Sequence, residues 1–166
     1  GGDSDWIEIH NAGSVSIDLE GYYLTDNSGN LTKWEFPAGV VINAGEYLIV
    51  FASKKEQEDN PGNYPYVDSS GNFHTNFNLS ASGEDEHLAL VEPDGVTIVS
   101  DYDFPAQERD ISYGLYNNQI RYFGFPTPGG PNIDGYLGMV ADTKFSQDRG
   151  FYESSFDVVI TCETGD

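Results

Sequence analysis

The chain has very little cysteine and few basic residues. Cys162 is the one Cys among 166 residues, which excludes an internal disulfide framework and a zinc site built from several thiolates. Seven Lys and Arg stand against 28 Asp and Glu, giving a formal net charge of −21. Such a field repels nucleic-acid phosphates and anionic lipid headgroups. We therefore expect no nucleic-acid partner, all the more because the basic residues form no stripe: they are Lys33, Lys54, Lys55, Arg109, Arg121, Lys144 and Arg149.

Long apolar runs are also missing, so we expect no membrane insertion. The chain starts with Gly1-Gly2-Asp3 rather than with Met and carries no basic-then-apolar leader. We interpret it as a segment of a longer protein, from which a signal peptide could have been removed. The sequence therefore leaves the compartment open at this point.

Aromatic and turn-forming residues, by contrast, are abundant. The 11 Tyr and 10 Phe are too many for a disordered acidic tail. Short alternating or apolar runs recur at a spacing of roughly 10–15 residues, which predicts an all-β sandwich or barrel. The clearest hairpin joins 87–91 to 96–99 through Glu92-Pro93-Asp94-Gly95, where Gly95 accepts a positive φ. The remaining predicted strands are 5–10, 21–25, 31–36, 47–52, 111–115, 120–124, 137–140 and 156–161.

The segments between these strands contain no convincing helix. Residues 54–59 are polar all round and favour one helical turn at most. The stretch 57–72 holds two Pro and two Gly and is predicted to be a long surface loop. A boundary near 132–135 divides the chain into a domain at 1–133 and a piece at 134–166. That piece has too few residues for an independent core, so it either packs on the first domain or begins a second β module.

Five motifs occur in order along the first domain. Each is modest alone, and the most specific are the Asn-Phe-x-Leu-Ser and Thr-Pro-Gly-x-Pro-Asn patterns. Together they resemble the lamin tail domain over about residues 5–132. The resemblance implies an immunoglobulin-like β-sandwich of Greek-key type with about seven strands, and Trp6, Ile7 and Ile9 as core residues. The motifs are Asp5-Trp6-Ile7-Glu8-Ile9-His10-Asn11, Leu19-Glu20-Gly21-Tyr22-Tyr23-Leu24-Thr25-Asp26, 73–84 with Leu88-Ala89-Leu90, Ser112-Tyr113-Gly114, and Phe125-Pro126-Thr127-Pro128-Gly129-Gly130-Pro131-Asn132.

The chain departs from this family at its first strand. Family members usually open with an apolar strand ending in Asn-Glu, upstream of the segment that corresponds to 6–8, and that strand is missing here. The fold has either lost an edge strand or uses another segment in its place. An unpaired edge accepts a strand from another chain.

The tail is similar to the opening of a chitobiase C-terminal-type module, a small fibronectin-like β-sandwich that is not catalytic. The similarity lies in 140–146, 148–153 and 156–161. In bacteria such modules stand side by side in large exported multidomain proteins, so the resemblance implies that setting and neighbouring domains of the parent chain as contacts.

Few residues could act in catalysis, and we expect the chain not to be an enzyme. His10, His74 and His87 belong to no recognised hydrolase pattern; no pair of carboxylates lies in an apolar context that marks a glycosidase. The predicted catalytic, cofactor-binding and metal residues are therefore none, and the binding residues are unknown. The alternative of an enzyme fragment predicts a cleft with converging acids of perturbed pKa.

Calcium is the one ion that the acids could bind. Oxygen side chains cluster in Asp26-Asn27-Ser28-Gly29-Asn30, Glu84-Asp85-Glu86 and Asp101-Tyr102-Asp103, but none of these segments is an EF-hand loop. A plain turn and solvated acids explain the same residues. We therefore expect no cofactor, and carry calcium as an alternative.

The function expected is that of a non-catalytic structural or protein-interaction module of a larger exported bacterial protein. The alternative is a carbohydrate or cell-surface binding module, since sugar rings stack on exposed aromatic side chains. The partner would be a protein or a cell-surface polymer, and the excess of acid favours an extracellular or cell-envelope location where salt or calcium screens repulsion. Candidate stacking residues are Tyr64, Tyr66, Tyr113, Tyr116 and Tyr122. Asn30 and Asn78 lie in glycosylation acceptor patterns, which are meaningful only in a eukaryotic secretory chain.

Overall fold

A computed structural model describes residues 5–55, 62, 65–80, 86–138 and 143–162. Every regular element in these ranges is a β-strand, which confirms the all-β prediction. The strands are β1 (Asp5–His10), β2 (Ile17–Asp18), β3 (Tyr23–Thr25), β4 (Trp34–Glu35), β5 (Val41–Ile42), β6 (Tyr47–Ala52), β7 (Tyr66–Val67), β8 (Phe73–His74), β9 (Glu86–Val91), β10 (Ile98–Phe104), β11 (Ser112–Tyr116), β12 (Gln119–Phe123), β13 (Thr143–Phe145) and β14 (Ile160–Cys162).

Two four-stranded sheets make up the sandwich. The first has the order β1-β6-β8-β7 and the second the order β10-β9-β3-β4. All neighbours in these sheets are antiparallel except β6 and β8, which run parallel. β1 and β10 each have a paired strand on one side only, so β1 is one edge strand of the first sheet and β10 is one edge strand of the second.

One apolar core lies between the sheets. It joins Ile7 and Val50 of the first sheet to Leu24 and Trp34 of the second. Trp34 is fully buried and its ring meets Phe36 edge-on, with centroids 4.7 Å apart. Fully burying each such side chain contributes roughly 1.5–3 kcal/mol.

Trp6 is not part of this core, contrary to the sequence prediction. Strand β1 buries Ile7, with 6% of its surface exposed, whereas Trp6 is half-buried. Adjacent side chains of a strand point to opposite faces, so Trp6 and Ile7 cannot share one face. The tryptophan at the centre of the core is Trp34.

The predicted hairpin is confirmed as β9 and β10. Gly95 has φ 72° in its turn, and the Asp94 carboxylate accepts hydrogen bonds from the backbone N–H groups of Val96 and Thr97. A Cβ atom on Gly95 would lie 2.9 Å from Cγ2 of Thr32. The turn therefore needs glycine both for its conformation and for space.

The predicted loop at 57–72 contains a short strand, β7, because Asp68 and Asn72 close a tight turn that returns the chain antiparallel to β8. Lys54 and Lys55 are not helical; the rest of the one-turn helix considered for 54–59 lies outside the described residues.

The segment after β10 forms separate hairpins. β11 pairs with β12, and β13 with β14. Of the strand predicted at 156–161 only residues 160–161 are extended, and of the one at 137–140 residues 137–138 are not a strand while 139–140 lie outside the described residues. Every described residue from 143 to 162 is exposed. The division at 133 stays a prediction.

Candidate binding surface

The three histidines lie in three different places. His10 stacks on Tyr47, with ring centroids 4.3 Å apart and planes 7° apart. His87 Nδ1 lies 2.8 Å from Oδ1 of Asp103. His74 belongs to a third cluster, so the three rings do not converge on one site.

His74 lies between a hydroxyl and a carboxylate. Its Nδ1 is 2.7 Å from Oγ of Ser53 and its Nε2 is 3.4 Å from Oδ2 of Asp68. A serine hydrolase also needs N–H donors beside the nucleophile to hold the oxyanion. The N–H groups that follow Ser53 already donate to the carbonyls of Phe77 and Thr75, at 3.0 and 2.8 Å. This cluster is therefore arranged to fasten β6 to the 68–74 turn.

Asp68 organises that turn. The side-chain amide of Asn72 and its backbone N–H both donate to the carboxylate, and the backbone N–H of Ser70 donates as well. These donors, the Asn72 side chain first, hold the pKa of Asp68 well below its usual range. Sequence analysis missed Ser53 and Asp68, because no spacing pattern joins them to His74.

Several side chains of the acidic segments considered for calcium already interact with other groups of the protein. Lys33 Nζ lies 2.5 Å from Oδ1 of Asp26, and Oδ1 of Asn27 accepts the Gly29 N–H. On β10, Asp103 pairs with His87. Residues 84–85 lie outside the described residues. Within the described ranges no group of three or more His, Cys, Asp or Glu side chains is placed to hold a metal, and calcium binding stays a prediction.

Two of the candidate tyrosine rings contact each other, and a further tyrosine outside the candidate set packs against one of them. Tyr113 and Tyr122 touch edge-to-face at 4.9 Å, and Tyr122 stacks on Tyr136 with planes 16° apart. Burial raises the pKa of Tyr113 and of Tyr122. Tyr136 is 36% exposed and was not predicted, because it lies beyond the last motif. We call Tyr113, Tyr122 and Tyr136 the tyrosine ladder.

The other candidate tyrosines lie elsewhere. Tyr116 is edge-on to the buried ring of Phe123, and Tyr66 contacts His74 and lies under the Lys55 ammonium. Tyr64 lies outside the described residues. Asn78 donates to the Leu79 carbonyl, and Asn30 lies in the turn that Thr25 fastens.

A large concave surface, a groove, lies between one edge of each sheet. One wall is β1, the edge of the first sheet, and the other is β10, the edge of the second. Residues 107–115 border it between these walls. Its volume is about 1050 Å³, at the upper end of the roughly 300–1,000 Å³ of ligand sites. Apolar side chains in the groove include Ile7, Ile9, Leu88, Leu90, Phe104 and Ile111.

Carboxylates border the groove. Asp5, Glu8, Glu108 and Asp110 line it together with Arg109, whose guanidinium Nε is 3.9 Å from Asp110. Burial raises the pKa of Asp5 and of Glu8, although the Gly129 N–H and His10 oppose the shift at Glu8.

Comparison with known proteins identifies the first two thirds of the chain. The family model described as Lamin Tail Domain matches residues 1–105, which is shorter than the 5–132 of the sequence resemblance. No curated protein and no solved structure matches the chain. No helix among the described residues is long and apolar enough to cross a membrane. Lamin tail domains are immunoglobulin-like modules without catalytic activity, compatible with structural or interaction roles, and the sandwich has that architecture. By the extent of this match, the chain belongs to the lamin tail domain family.

Proposed function

We propose that the chain is a non-catalytic protein-interaction module of a larger exported multidomain bacterial protein, and that it binds its partner in the groove between the two sheets. The groove between β1 and β10 carries this proposal. An apolar groove between two sheets supplies the area that makes an association specific.

The exported setting is supported by the charge and by the tail. A net charge of −21 is best tolerated where salt or divalent ions screen repulsion, as outside a cell. In the tail, β13 and β14 carry exposed apolar side chains, among them Phe145 at 59% and Ile160 at 60%. This pattern suits the first strands of a second module of the chitobiase C-terminal type, and neighbouring domains of the parent chain as further contacts.

Photo-crosslinking in the secreted fraction of the source cells tests the proposal. A photoreactive residue replaces Val99 in the groove of the full chain, and the matched control replaces Val41, which is also about half exposed but does not line the groove. We expect discrete protein adducts from position 99 and none from position 41. Equal adducts from both positions, or none from position 99, would overturn the proposal.

A second candidate function is binding of carbohydrate, and the tyrosine ladder favours it. Tyr136 exposes part of its ring at the end of a stack that Tyr122 holds in place, and sugar rings stack on such faces. The measurement is retardation in polysaccharide-containing gels, comparing Tyr136→Ala with Tyr66→Ala, whose ring contacts His74 and Lys55. Retardation that Tyr136→Ala alone abolishes supports this function, and no retardation on any glycan removes it.

A further inference from the structure

We propose that the tyrosine ladder is an oxidative cross-linking site, at which a haem peroxidase and hydrogen peroxide join Tyr122 to Tyr136 as dityrosine. The new bond fastens the segment 133–138 covalently to β12. This inference goes beyond the proposed interaction function and does not depend on the groove. It follows from the backbone pairing of the two tyrosines, the contact between their rings and the exposure of one of them.

The backbone holds the two tyrosines side by side. The Tyr122 N–H donates to the Tyr136 carbonyl, and the Tyr136 N–H donates to the Tyr122 carbonyl, each at 2.9 Å. Two residues that exchange both hydrogen bonds are directly opposed in an antiparallel pair, and their side chains lie on the same face. The proximity of the two rings is therefore set by the backbone as well as by their rotamers.

Gly135 lets the chain approach β12 closely enough for this pairing. A Cβ atom there would lie 2.5 Å from Cε1 of Phe123 and 2.6 Å from Cβ of Arg121. Only glycine fits at this position without displacing β12. The residue before it, Asp134, has φ 52°, a left-handed conformation that aspartate adopts more readily than most residues. These two residues together place Tyr136 beside Tyr122.

The ring geometry favours coupling of Tyr122 with Tyr136. Their centroids are 6.0 Å apart and their planes differ by 16°, so rotations of the side chains can bring edge carbons of the two rings together. Tyr113 lies closer to Tyr122, at 4.9 Å, but its plane is inclined by 60°. In that arrangement the edge of one ring meets the face of the other, which does not align the carbons that must bond.

The oxidant reaches the ladder through Tyr136. This residue is 36% exposed, whereas Tyr122 is half-buried. Each phenol loses one electron and one proton, Tyr136 to the peroxidase and Tyr122 to the peroxidase or to the Tyr136 radical, which is then oxidised again. The two phenoxyl radicals form a C–C bond between their ortho carbons, and each ortho hydrogen moves to oxygen as the ring regains its aromaticity. Overall the tyrosines lose two hydrogen atoms, and one hydrogen peroxide is reduced to two water molecules.

Proximity favours this bond over coupling between two molecules. Groups held in contact react as if at a concentration far above that of any protein solution, and a net charge of −21 keeps copies of the chain apart. The reaction needs only the folded chain and the oxidant. An exported location would bring the chain to such oxidants outside the reducing cytosol.

The test treats the full chain with a haem peroxidase and an equimolar amount of hydrogen peroxide, over a series of protein concentrations. Dityrosine fluorescence, the intact mass of the monomer and peptide mapping follow the product. Tyr136→Phe keeps the ring but removes the phenolic hydrogen. The matched control is Tyr152→Phe, because Tyr152 is 48% exposed and its ring contacts Phe156, which cannot couple in this way. Both variants are first shown to unfold at the same urea concentration as the parent.

We expect a monomer that is lighter by two hydrogen atoms, with Tyr122 and Tyr136 in one cross-linked peptide. Tyr136→Phe should lower the yield of dityrosine in the monomer about tenfold, because the proximate partner is lost, whereas Tyr152→Phe should leave the yield unchanged. In the cross-linked protein, amide hydrogen exchange at Tyr122 and Tyr136 should slow about tenfold, because closing the loop between them restricts local opening.

Other results overturn the inference. No dityrosine under conditions in which the peroxidase couples free tyrosine removes the site, and dityrosine confined to dimers assigns the coupling to contacts between copies. A bond between Tyr113 and Tyr122, or a yield that Tyr136→Phe leaves unchanged, refutes the pair named here. Unchanged exchange after cross-linking shows that the bond does not fasten the segment. None of these results bears on the photo-crosslinks expected from position 99, so the interaction module is tested separately.

Discussion

The backbone N–H of Gly129 donates a hydrogen bond of 2.7 Å to Oε2 of Glu8, across 121 residues of sequence. Gly129 has φ 80° in the turn of the Thr-Pro-Gly motif. That turn lies beyond the 1–105 matched by the family model. The hydrogen bond therefore links the end of the segment that resembles the lamin tail domain to β1, which forms one wall of the groove.

Removing the Glu8 acceptor should free the Gly129 turn. We expect Glu8→Ala to speed exchange of the Gly129 amide about fivefold, the equivalent of about 1 kcal/mol for one hydrogen bond. Glu8→Gln keeps an acceptor oxygen and should change that rate less. Measured by amide hydrogen exchange, an unchanged Gly129 rate in Glu8→Ala would show that the contact does not hold the turn.

The same residue predicts a pH dependence. Burial raises the pKa of Glu8 above its usual 4.5, so the folded state retains the proton longer than the unfolded state. Its contribution to stability is fully present below pH 4.5 and is lost as pH rises through the folded pKa. Glu8→Gln lacks that loss, and its free energy of unfolding relative to the parent should be higher at pH 7 than at pH 4. A constant difference between pH 4 and pH 7 would contradict the shift.

The two tryptophans should differ sharply in their effect on stability. Trp34→Ala removes a fully buried ring packed on Phe36 and should cost about 3–5 kcal/mol. Trp6→Ala, at a half-buried site, should cost about half as much or less, since the cost follows the area that leaves water. Urea unfolding of both variants makes the comparison. An equal or larger loss for Trp6→Ala would restore Trp6 to the core.

The fold was largely predictable because strands and turns leave patterns in residues that are neighbours in the sequence. Alternation at 5–10 and the Pro93–Gly95 turn are features of neighbouring residues, and β1, β9 and β10 formed where they indicate. The identity of the core tryptophan could not be predicted from neighbouring residues in the same way. Trp34 lies on a strand of two residues, too short for alternation to show, and its burial comes from contacts with Phe36 and Phe73.

The candidate site was not predictable from the sequence, apart from the strand β1 that forms one of its walls. Its other wall and the residues 107–115 come from distant sequence, so neither the lining nor its charge could be read from spacing. The Ser53–His74 contact is non-local in the same sense: the β6–β8 pairing, not a motif, brings them together.

Asp68 should make the fold sensitive to acid. Hydrogen bonds from the Asn72 side chain and backbone hold its pKa well below the usual 3.8. A carboxyl with a lowered folded pKa contributes stability that is present above pH 3.8 and is lost as pH falls through the folded value. Below pH 4 the free energy of unfolding should therefore fall more steeply in the parent than in Asp68→Asn. Parallel curves from urea titrations between pH 2 and pH 6 would show that the turn does not depend on the charge.

Thermal unfolding in EDTA and in millimolar calcium, at constant ionic strength, decides whether the acidic loops are ion sites. We expect little difference between the two midpoints, because calcium raises the midpoint only if it binds the folded state in preference to the unfolded state. Asp26 already holds Lys33 at 2.5 Å, and Asn27 caps the Gly29 N–H, so a cation at this turn would have to displace an ammonium. Added NaCl is the control and should raise the midpoint in both buffers, since it screens a net charge of −21. A rise of several degrees with calcium at constant ionic strength would contradict the expectation. If Lys33→Ala then enlarged that rise, the site would be the Asp26–Asn30 turn; if it did not, the acids at 84–86 or 101–103 would be the ligands to test next.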